Sequence, residues 1–531
     1  MLATHHKDSN NLELASLITS DDEEAAISSS SSPDAPLAMP AQSQPSTMPQ
    51  PKWLSQTTAR TWSSRILPLL ARIVRPRLTW RYALGASIIL YYLYCTIRQT
   101  HLLASPLPSY TGPHGVGAVD LEVPLPDGPQ SISEHTFKDG SPAFEVESLL
   151  VTLYYPTDPA FRSKKPRYTW IPKPVSLTAR GYAKLAGFDN FITRPVMTFF
   201  LWAVGGGITI PAEVDAPLLE SNDKLSPLVF SHGMASSRTD YTNFLGELAS
   251  RGQVVAAIEH RDGSSPGSLI KLNANDATGG RERLHFKSSE LKEDVDTPKF
   301  KELQLAYRDA EILAAIDLFA ALSKGAPINN TRAHVDTLSS WAGRLAMDRL
   351  LIGGHSYGAT GALQALSTVA PDAIGGIILD PGKGSGPLNK DTKVPLLIVH
   401  SNSWSRKVSP FHGRPHFDTV RDLVRDSPAP GWFLTSLGTA HPSVTDAPLL
   451  EPLLLSWTTG ANLDVKGALK EYVNVADEFY HYLFEGKTSQ GGLLAEAVTH
   501  EEYGKWISEE RKKEFSMDKA KLWEVHVSPQ L

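Results

Sequence analysis

The sequence predicts an α/β fold in which a mostly parallel central sheet is flanked by helices, and three observations carry that prediction. Short, largely apolar runs recur at Pro227–Phe230, Val254–Ile258, Leu350–Gly353, Ala373–Leu379 and Val394–Val399, the pattern of strands buried on both faces. Helix-period segments lie between them. Leu305, Ile312, Ile316, Phe319 and Leu322 share one face over 302–323, and 240–250 reads as a helix stopped by Gly252. Finally, the run Leu350–Gly353 turns at Gly354-His355-Ser356-Tyr357-Gly358 straight into the helix-like Ala359–Leu366. Two glycines let the chain pinch there, so the Ser356 hydroxyl stands clear of the sheet edge. A strand, a sharp turn and a helix in that order form a nucleophile elbow, which narrows the class to the α/β-hydrolase fold.

Ahead of this domain the composition changes. Residues 1–57 carry the acidic patch Asp21-Asp22-Glu23-Glu24, the serine run Ser28–Ser32 and many prolines. Such a tail buries too little apolar surface to offset its ordering entropy and reads as disordered. From Ala35 to Val119 there is no acidic residue, and Arg60, Arg65, Arg72, Arg75, Arg77 and Arg81 make 58–81 a basic segment. Residues 82–98 then read as a single membrane anchor, with snorkelling Arg81 and Arg98 and interfacial tyrosines. The arginine excess places the N-terminus in the cytosol and the large domain in a lumen or outside the cell. A Pro/Gly-rich linker covers 99–120, and the catalytic domain occupies 121–531.

The totals exclude several functions. A formal charge of −6 over 531 residues offers no basic footprint for nucleic acid. One cysteine, Cys95, rules out intramolecular disulfides and Cys-based zinc sites. There is no H-E-x-x-H, and Gly486-Lys487-Thr488 lacks the earlier glycine of a phosphate loop, where His481 stands. Neither a metal nor a cofactor is expected.

Along the domain, Ser148–Pro156 reads as a strand ended by proline. Residues 168–210 are aromatic and apolar without a clear period, and Phe199-Phe200-Leu201-Trp202 suggests a surface that meets lipid near the site entrance. The strand Pro227–Phe230 runs into Ser231-His232-Gly233-Met234, where the backbone N–H of Met234 is positioned to serve an oxyanion, with that of Tyr357 as the second donor. His260 and Asp262 follow the next strand but precede the nucleophile, so structural or substrate-lining roles suit them better. Residues 263–300 read as a polar, irregular insertion, Asn329-Asn330-Thr331 as a glycosylation sequon, and the last 70 residues as a helical cover.

The remaining triad members come from chain order. Asp380 ends the strand after the elbow, whereas the exit of the following strand, Ser401-Asn402-Ser403-Trp404, has no carboxylate before Asp418. Asp380 is therefore the preferred acid. His441, in a short loop after the strand-like Trp432–Leu434, is the preferred base over His412 and His416. A serine hydroxyl is a weak nucleophile until an imidazole accepts its proton, and a buried carboxylate fixes the tautomer of that imidazole.

Phe230-Ser231-His232-Gly233-Met234, Val255–Asp262, Gly354-His355-Ser356-Tyr357-Gly358, Leu379-Asp380 and His441 together resemble the plasma and intracellular type II platelet-activating-factor acetylhydrolases. Leu153-Tyr154-Tyr155-Pro156, Trp170-Ile171-Pro172 and Gly112–Gly117 add to the resemblance, which covers roughly 110–460. It implies a calcium-independent, phospholipase A2-type serine esterase that removes acetyl, short or oxidised sn-2 acyl groups from phospholipids through an acyl-enzyme. It also supports the acid at Asp380, because that family carries its acid after the earlier strand. Tyr357 and Ala359 stand where the family often has Phe and Gly. A general carboxylesterase or lipase is the alternative enzyme, and an inactive membrane-tethered binding protein the alternative outside catalysis.

Overall fold

Why the apolar runs form strands is visible in how they divide their side chains. Ten strands form one sheet: β1 (Gly115–Pro124), β2 (Ser148–Thr157), β3 (Glu213–Val214), β4 (Ser226–Ser231), β5 (Gln253–Ile258), β6 (Leu351–His355), β7 (Gly375–Leu379), β8 (Leu396–Ser401), β9 (Gly431–Ser436) and β10 (Trp523–Val527). In the central strands alternate residues enter opposite cores. Ile352, Ile378 and Ile398 pack on one side of the sheet, and Leu351, Ile377 and Leu397 on the other. Both faces are buried, so the sequence reads as a continuous apolar run instead of an alternation.

The computed structural model describes residues 79–98, 104–274, 279–406, 410–411, 414–451 and 459–529. The tail 1–57, positions 58–78 of the basic segment, 99–103 of the linker and His412 lie outside them. The sheet order is β10-β9-β8-β7-β6-β4-β5-β2-β1-β3. The block from β9 to β5 is parallel throughout, β2 is antiparallel to both of its neighbours, and β10 is antiparallel to β9. Two of the described helices, α5 (Thr297–Ser323) and α6 (Tyr357–Thr368), cover one face, joined by α7 (His416–Arg425). On the other face lie α4 (Thr242–Ala249) and α8 (Val465–Glu485). Two further helices, α2 (Val175–Leu185) and α3 (Thr193–Gly205), occupy the aromatic stretch before β3. This is the expected mostly parallel sheet with helices on both sides.

Several expectations need correction. The segment 82–98 is indeed helical, as α1 (Trp80–Arg98), in a unit separate from the residues after 102. No helix among the described residues is long and apolar enough to cross a membrane. Arg81 and Arg98 bracket 16 uncharged residues, a rise of about 24 Å against a hydrocarbon core of about 30 Å. Four of those residues are tyrosines. A spanning anchor is unsupported among the described residues.

The linker reading stops too late. β1 starts at Gly115 and pairs with β2 over ten residues, from Gly115 opposite Thr157 to Pro124 opposite Ser148. Its glycines hide it from a hydropathy pattern. α5 begins at Thr297, within the supposed insertion, because the Asp296 carboxylate accepts the Lys299 N–H and Pro298 fills the first turn. Residues 286–295 of the insertion are tied down by Phe286, Leu291 and Val295, which pack with Phe144 and Phe300. The last 70 residues contain α8, but also the edge strand β10, whose Glu524 and His526 interrupt any apolar run.

Candidate active site

The elbow is built from close approaches that only glycine permits. Ser356 sits between β6 and α6 with φ 55° and ψ −121°, a conformation that costs a non-glycine residue roughly 1–3 kcal/mol. A Cβ on Gly358 would run into the Ser231 carbonyl at the end of β4, and one on Gly354 into the Gly358 carbonyl. Those two absences let α6 seat against the strand ends. The Ser356 N–H donates to the Leu379 carbonyl at 2.9 Å, and its own carbonyl accepts from Gly382 N–H at 3.0 Å. The turn is thereby locked to the end of β7.

Three predicted residues converge on this point. His441 Nε2 lies 3.0 Å from Ser356 Oγ, and His441 Nδ1 lies 2.8 Å from Asp380 Oδ2. Asp380 is 3% exposed and Ser356 7%. His355, Asp380 and His441 hold ligand-type atoms within 4.8 Å of one another. Both His441 nitrogens are nevertheless engaged by Ser356 and Asp380, so the donor set reads as a proton relay. Asp418 lies on α7, ion-paired to Arg421, and His416 is buried beside His400. Neither is brought to Ser356.

The carboxylate-free exit of β8 has another use. Ser401 donates its N–H to Asp380 Oδ1 at 2.6 Å and its hydroxyl to Oδ2 at 2.7 Å. Ser403 Oγ accepts the His441 N–H at 2.9 Å. The Trp404 indole stacks on the His441 ring, with centroids 3.8 Å apart and planes 10° from parallel, while its Nε1–H donates to the Pro381 carbonyl at 3.0 Å. Lys383 Nζ lies 4.5 Å from the Trp404 ring centroid and donates to the Trp404 carbonyl at 2.9 Å. Three residues at the end of β8 and just beyond it, Ser401, Ser403 and Trp404, thus orient both the acid and the imidazole.

The segment after β4 is held as firmly. Gly233 abuts the nucleophile, since a Cβ built on it would lie 3.0 Å from Ser356 Cβ, and Met234 follows directly. Tyr357 opens α6, at the helix end where main-chain N–H groups point outward. The Gly233 N–H donates to the Tyr241 hydroxyl at 3.2 Å, and that hydroxyl is hydrogen-bonded to His355 Nδ1 at 2.8 Å. Burial and the neighbouring His441 hold the pKa of His355 well below the usual imidazole range. Beneath them Arg308 of α5 donates to the His232 carbonyl at 2.7 Å and to Asp262 Oδ2 at 2.8 Å.

Structural roles for His260 and Asp262 fit these contacts. Glu259, His260, Arg261 and Asp262 are all buried; Glu259, Arg261 and Asp262 meet the opposite charges of Arg238, Glu122 and Arg308, and His260 Nδ1 is hydrogen-bonded to Glu311 at 2.5 Å. Reading the sequence alone misses most of the support. Asp446, five residues after His441, accepts from Thr242 N–H at 2.8 Å, Asn243 N–H at 2.9 Å and Trp170 Nε1–H at 3.2 Å. It caps α4 from a distant loop and ties the His441 segment to the chain around Tyr241. Burial pushes its pKa up to about 7. No local pattern marks Asp446, Tyr241, Arg308 or Trp404, because their partners lie far away in sequence.

Comparison with known proteins adds independent information. The family described as "Platelet-activating factor acetylhydrolase, isoform II" matches residues 101–478. A platelet-activating factor acetylhydrolase of Cavia porcellus is 27% identical over 300 residues, covering 56% of this chain and 60% of that protein. One from Gallus gallus is 26% identical over 352 residues, covering 64% and 74%. A putative phospholipase A2 of Schizosaccharomyces pombe is 26% identical over 270 residues, covering 48% and 57%. The chain therefore spans between about half and three-quarters of the length of these curated relatives. A ferulic acid esterase structure from Streptomyces cinnamoneus superposes with a TM-score of 0.47 at 19% identity, covering 75% of this chain and 96% of that one.

Proposed function

This chain belongs to the platelet-activating factor acetylhydrolase isoform II family, and from that premise we propose that it is a serine esterase cleaving the sn-2 acetyl, short or oxidised acyl ester of phospholipids. The observation that carries the proposal is the continuous relay from Ser356 Oγ through His441 to Asp380, at 3.0 and 2.8 Å. His441 Nε2 takes the proton of Ser356 as Oγ attacks the ester carbonyl, and Asp380 steadies the resulting imidazolium. The main-chain N–H groups of Met234 and Tyr357 receive the developing oxyanion, a contribution of roughly 3 kcal/mol each. His441 then returns the proton to the leaving lysophospholipid, and an acyl group remains on Ser356. Water, activated by the same imidazole, releases the acid. No step calls for calcium.

The lipid surface has a candidate seat in α3. Val196, Phe199, Phe200 and Trp202 are all more than half exposed there, an apolar patch larger than single surface residues require. Its end packs beside Trp170, whose indole is bonded to Asp446 in the His441 segment.

The test is hydrolysis of sn-2-acetyl and long-chain phosphatidylcholines by the full chain and by Ser356→Ala, with and without a calcium chelator. The expected result is preference for the acetyl lipid, indifference to the chelator, and loss of about 10⁴–10⁶ in kcat in the variant. Acetyl hydrolysis that survives Ser356→Ala would overturn the mechanism. Cleavage of simple esters but of neither lipid would make the protein a general carboxylesterase, and no ester cleavage at all a binding protein.

A further inference from the structure

A cavity of about 350 Å³ lies apart from the triad, none of whose members lines it. Its charged walls are Arg167, Lys173, Arg238 and Arg332, with Asp120 as the one acid among its lining residues. The balance of donors and acceptors in these walls is one-sided. Asp120 is fully committed: Oδ1 accepts the Thr152 hydroxyl at 2.6 Å, and Oδ2 accepts Arg238 Nη2–H at 2.9 Å. Arg238 is 6% exposed and gives Nη1–H to Glu259 at 3.1 Å, yet its Nε–H is buried without a partner. That N–H is closed off from solvent, so the donors open to the cavity come from its other walls.

Among the other walls, Arg167 gives Nη2–H to Glu213 at 2.7 Å. Arg332 gives Nε–H to Glu122 at 2.7 Å and Nη2–H to the Leu269 carbonyl at 2.6 Å, which leaves Nη1 uncommitted. Burial, together with nearby Arg238 and Arg261, lowers the pKa of Arg332, a sign of how closely the guanidiniums crowd. Lys173 is exposed and forms no ion pair among the described residues. The Tyr168 hydroxyl accepts the Asp120 N–H at 3.2 Å and keeps its own proton to donate. Donors of Arg332, Lys173 and Tyr168 therefore remain for the cavity, while the charge of its one carboxylate is paired with Arg238.

We propose that this cavity is a binding site for a phosphate-bearing anion, a phosphate ester of a small alcohol or inorganic phosphate itself. Guanidinium forks match phosphate oxygens, and the apolar Leu150 and Leu269 leave room for a short organic part. The site is independent of the esterase reading. Its ligand comes either from a lipid headgroup or from free phosphate in solution.

Calorimetric titration of the full chain with inorganic phosphate and with glycerophosphocholine tests this. Neither probe carries an acyl ester, so the outcome does not depend on Ser356. The expected result is saturable binding at one site per chain, weakened at least about tenfold by Lys173→Glu and untouched by Lys505→Glu, on an exposed lysine outside the cavity. Binding of glycerophosphocholine at least as tight as that of phosphate assigns the site to a headgroup. The reverse order assigns it to a soluble phosphate. Arg238→Gln should abolish binding; if that variant does not fold, Lys173→Glu decides. Absence of saturable binding by either probe up to about 10 mM, or binding that Lys173→Glu leaves unchanged, overturns the proposal.

Discussion

Tyr241 shows how much of the site depends on a residue that touches no reacting atom. Its hydroxyl accepts the Gly233 N–H and bonds to His355 Nδ1, joining the segment after β4 to the elbow. Its ring packs on Phe230 at 5.2 Å, a contact that phenylalanine would keep. Tyr241→Phe leaves two buried polar groups unpaired, at a cost of about 1–3 kcal/mol. The expected outcome in steady-state assays is a kcat lowered about tenfold with KM nearly unchanged, because the oxyanion donors are misplaced while the lipid still binds. A raised KM with kcat unchanged would assign Tyr241 to substrate binding instead. At this scale Ser356 is legible from its neighbours, since the glycines that shape the elbow lie two residues away on either side. Tyr241 is not, because His355 is 114 residues from it.

Among the elements, the exit of β8 departs most from expectation. Its lack of a carboxylate points to Asp380 as the acid, but says nothing of the clamp that Ser401, Ser403 and Trp404 form around Asp380 and His441. A stacked aromatic pair contributes roughly 0.5–1.5 kcal/mol beyond burial, and here it also limits the swing of the imidazole. Trp404→Leu is expected to lower kcat about tenfold while Trp404→Phe retains most of it, with thermal stability recorded for both. Equal damage from both variants would mean that the Nε1–H bond to Pro381, not the stack, holds the ring. The strands themselves are legible wherever both faces are buried. β1 and β10 are not, because glycines in the first and the polar Glu524 and His526 in the second remove the hydropathy signal. For α1 the hydropathy signal is present but misleads: the residues form a helix, yet their length and apolarity fall short of a span.

Across the whole molecule, burial governs the response to acid. His232, His416 and His526 are buried, and desolvation foremost lowers each of their pKa values to about 3. The unfolded chain takes up protons at these positions below about pH 6.5, whereas the folded chain refuses them until about pH 3. Their contribution to stability is therefore complete above pH 6.5 and is lost as pH falls through that window. Buried Asp446, Asp240 and Glu524, whose pKa values burial raises to about 7, act in the opposite sense, so the expected outcome is read as a difference: between pH 6.5 and pH 4 the melting temperature of the unaltered chain falls relative to that of His526→Gln. The same pH dependence in both chains would show that the His526 imidazole is solvated.

The sequence by itself determines the class of fold, the elbow, the two remaining positions of the relay and the family, because each is written in short contiguous stretches or in the order in which they follow one another. The tertiary structure alone decides what makes those positions work together. Trp170 meets Asp446 across 276 residues, Arg308 reaches the His232 carbonyl across 76, and Trp404 comes to His441 from the exit of β8. Such contacts have no local signature. They are selected when the sheet closes, where every buried polar group must find a partner or bear the cost of going without one.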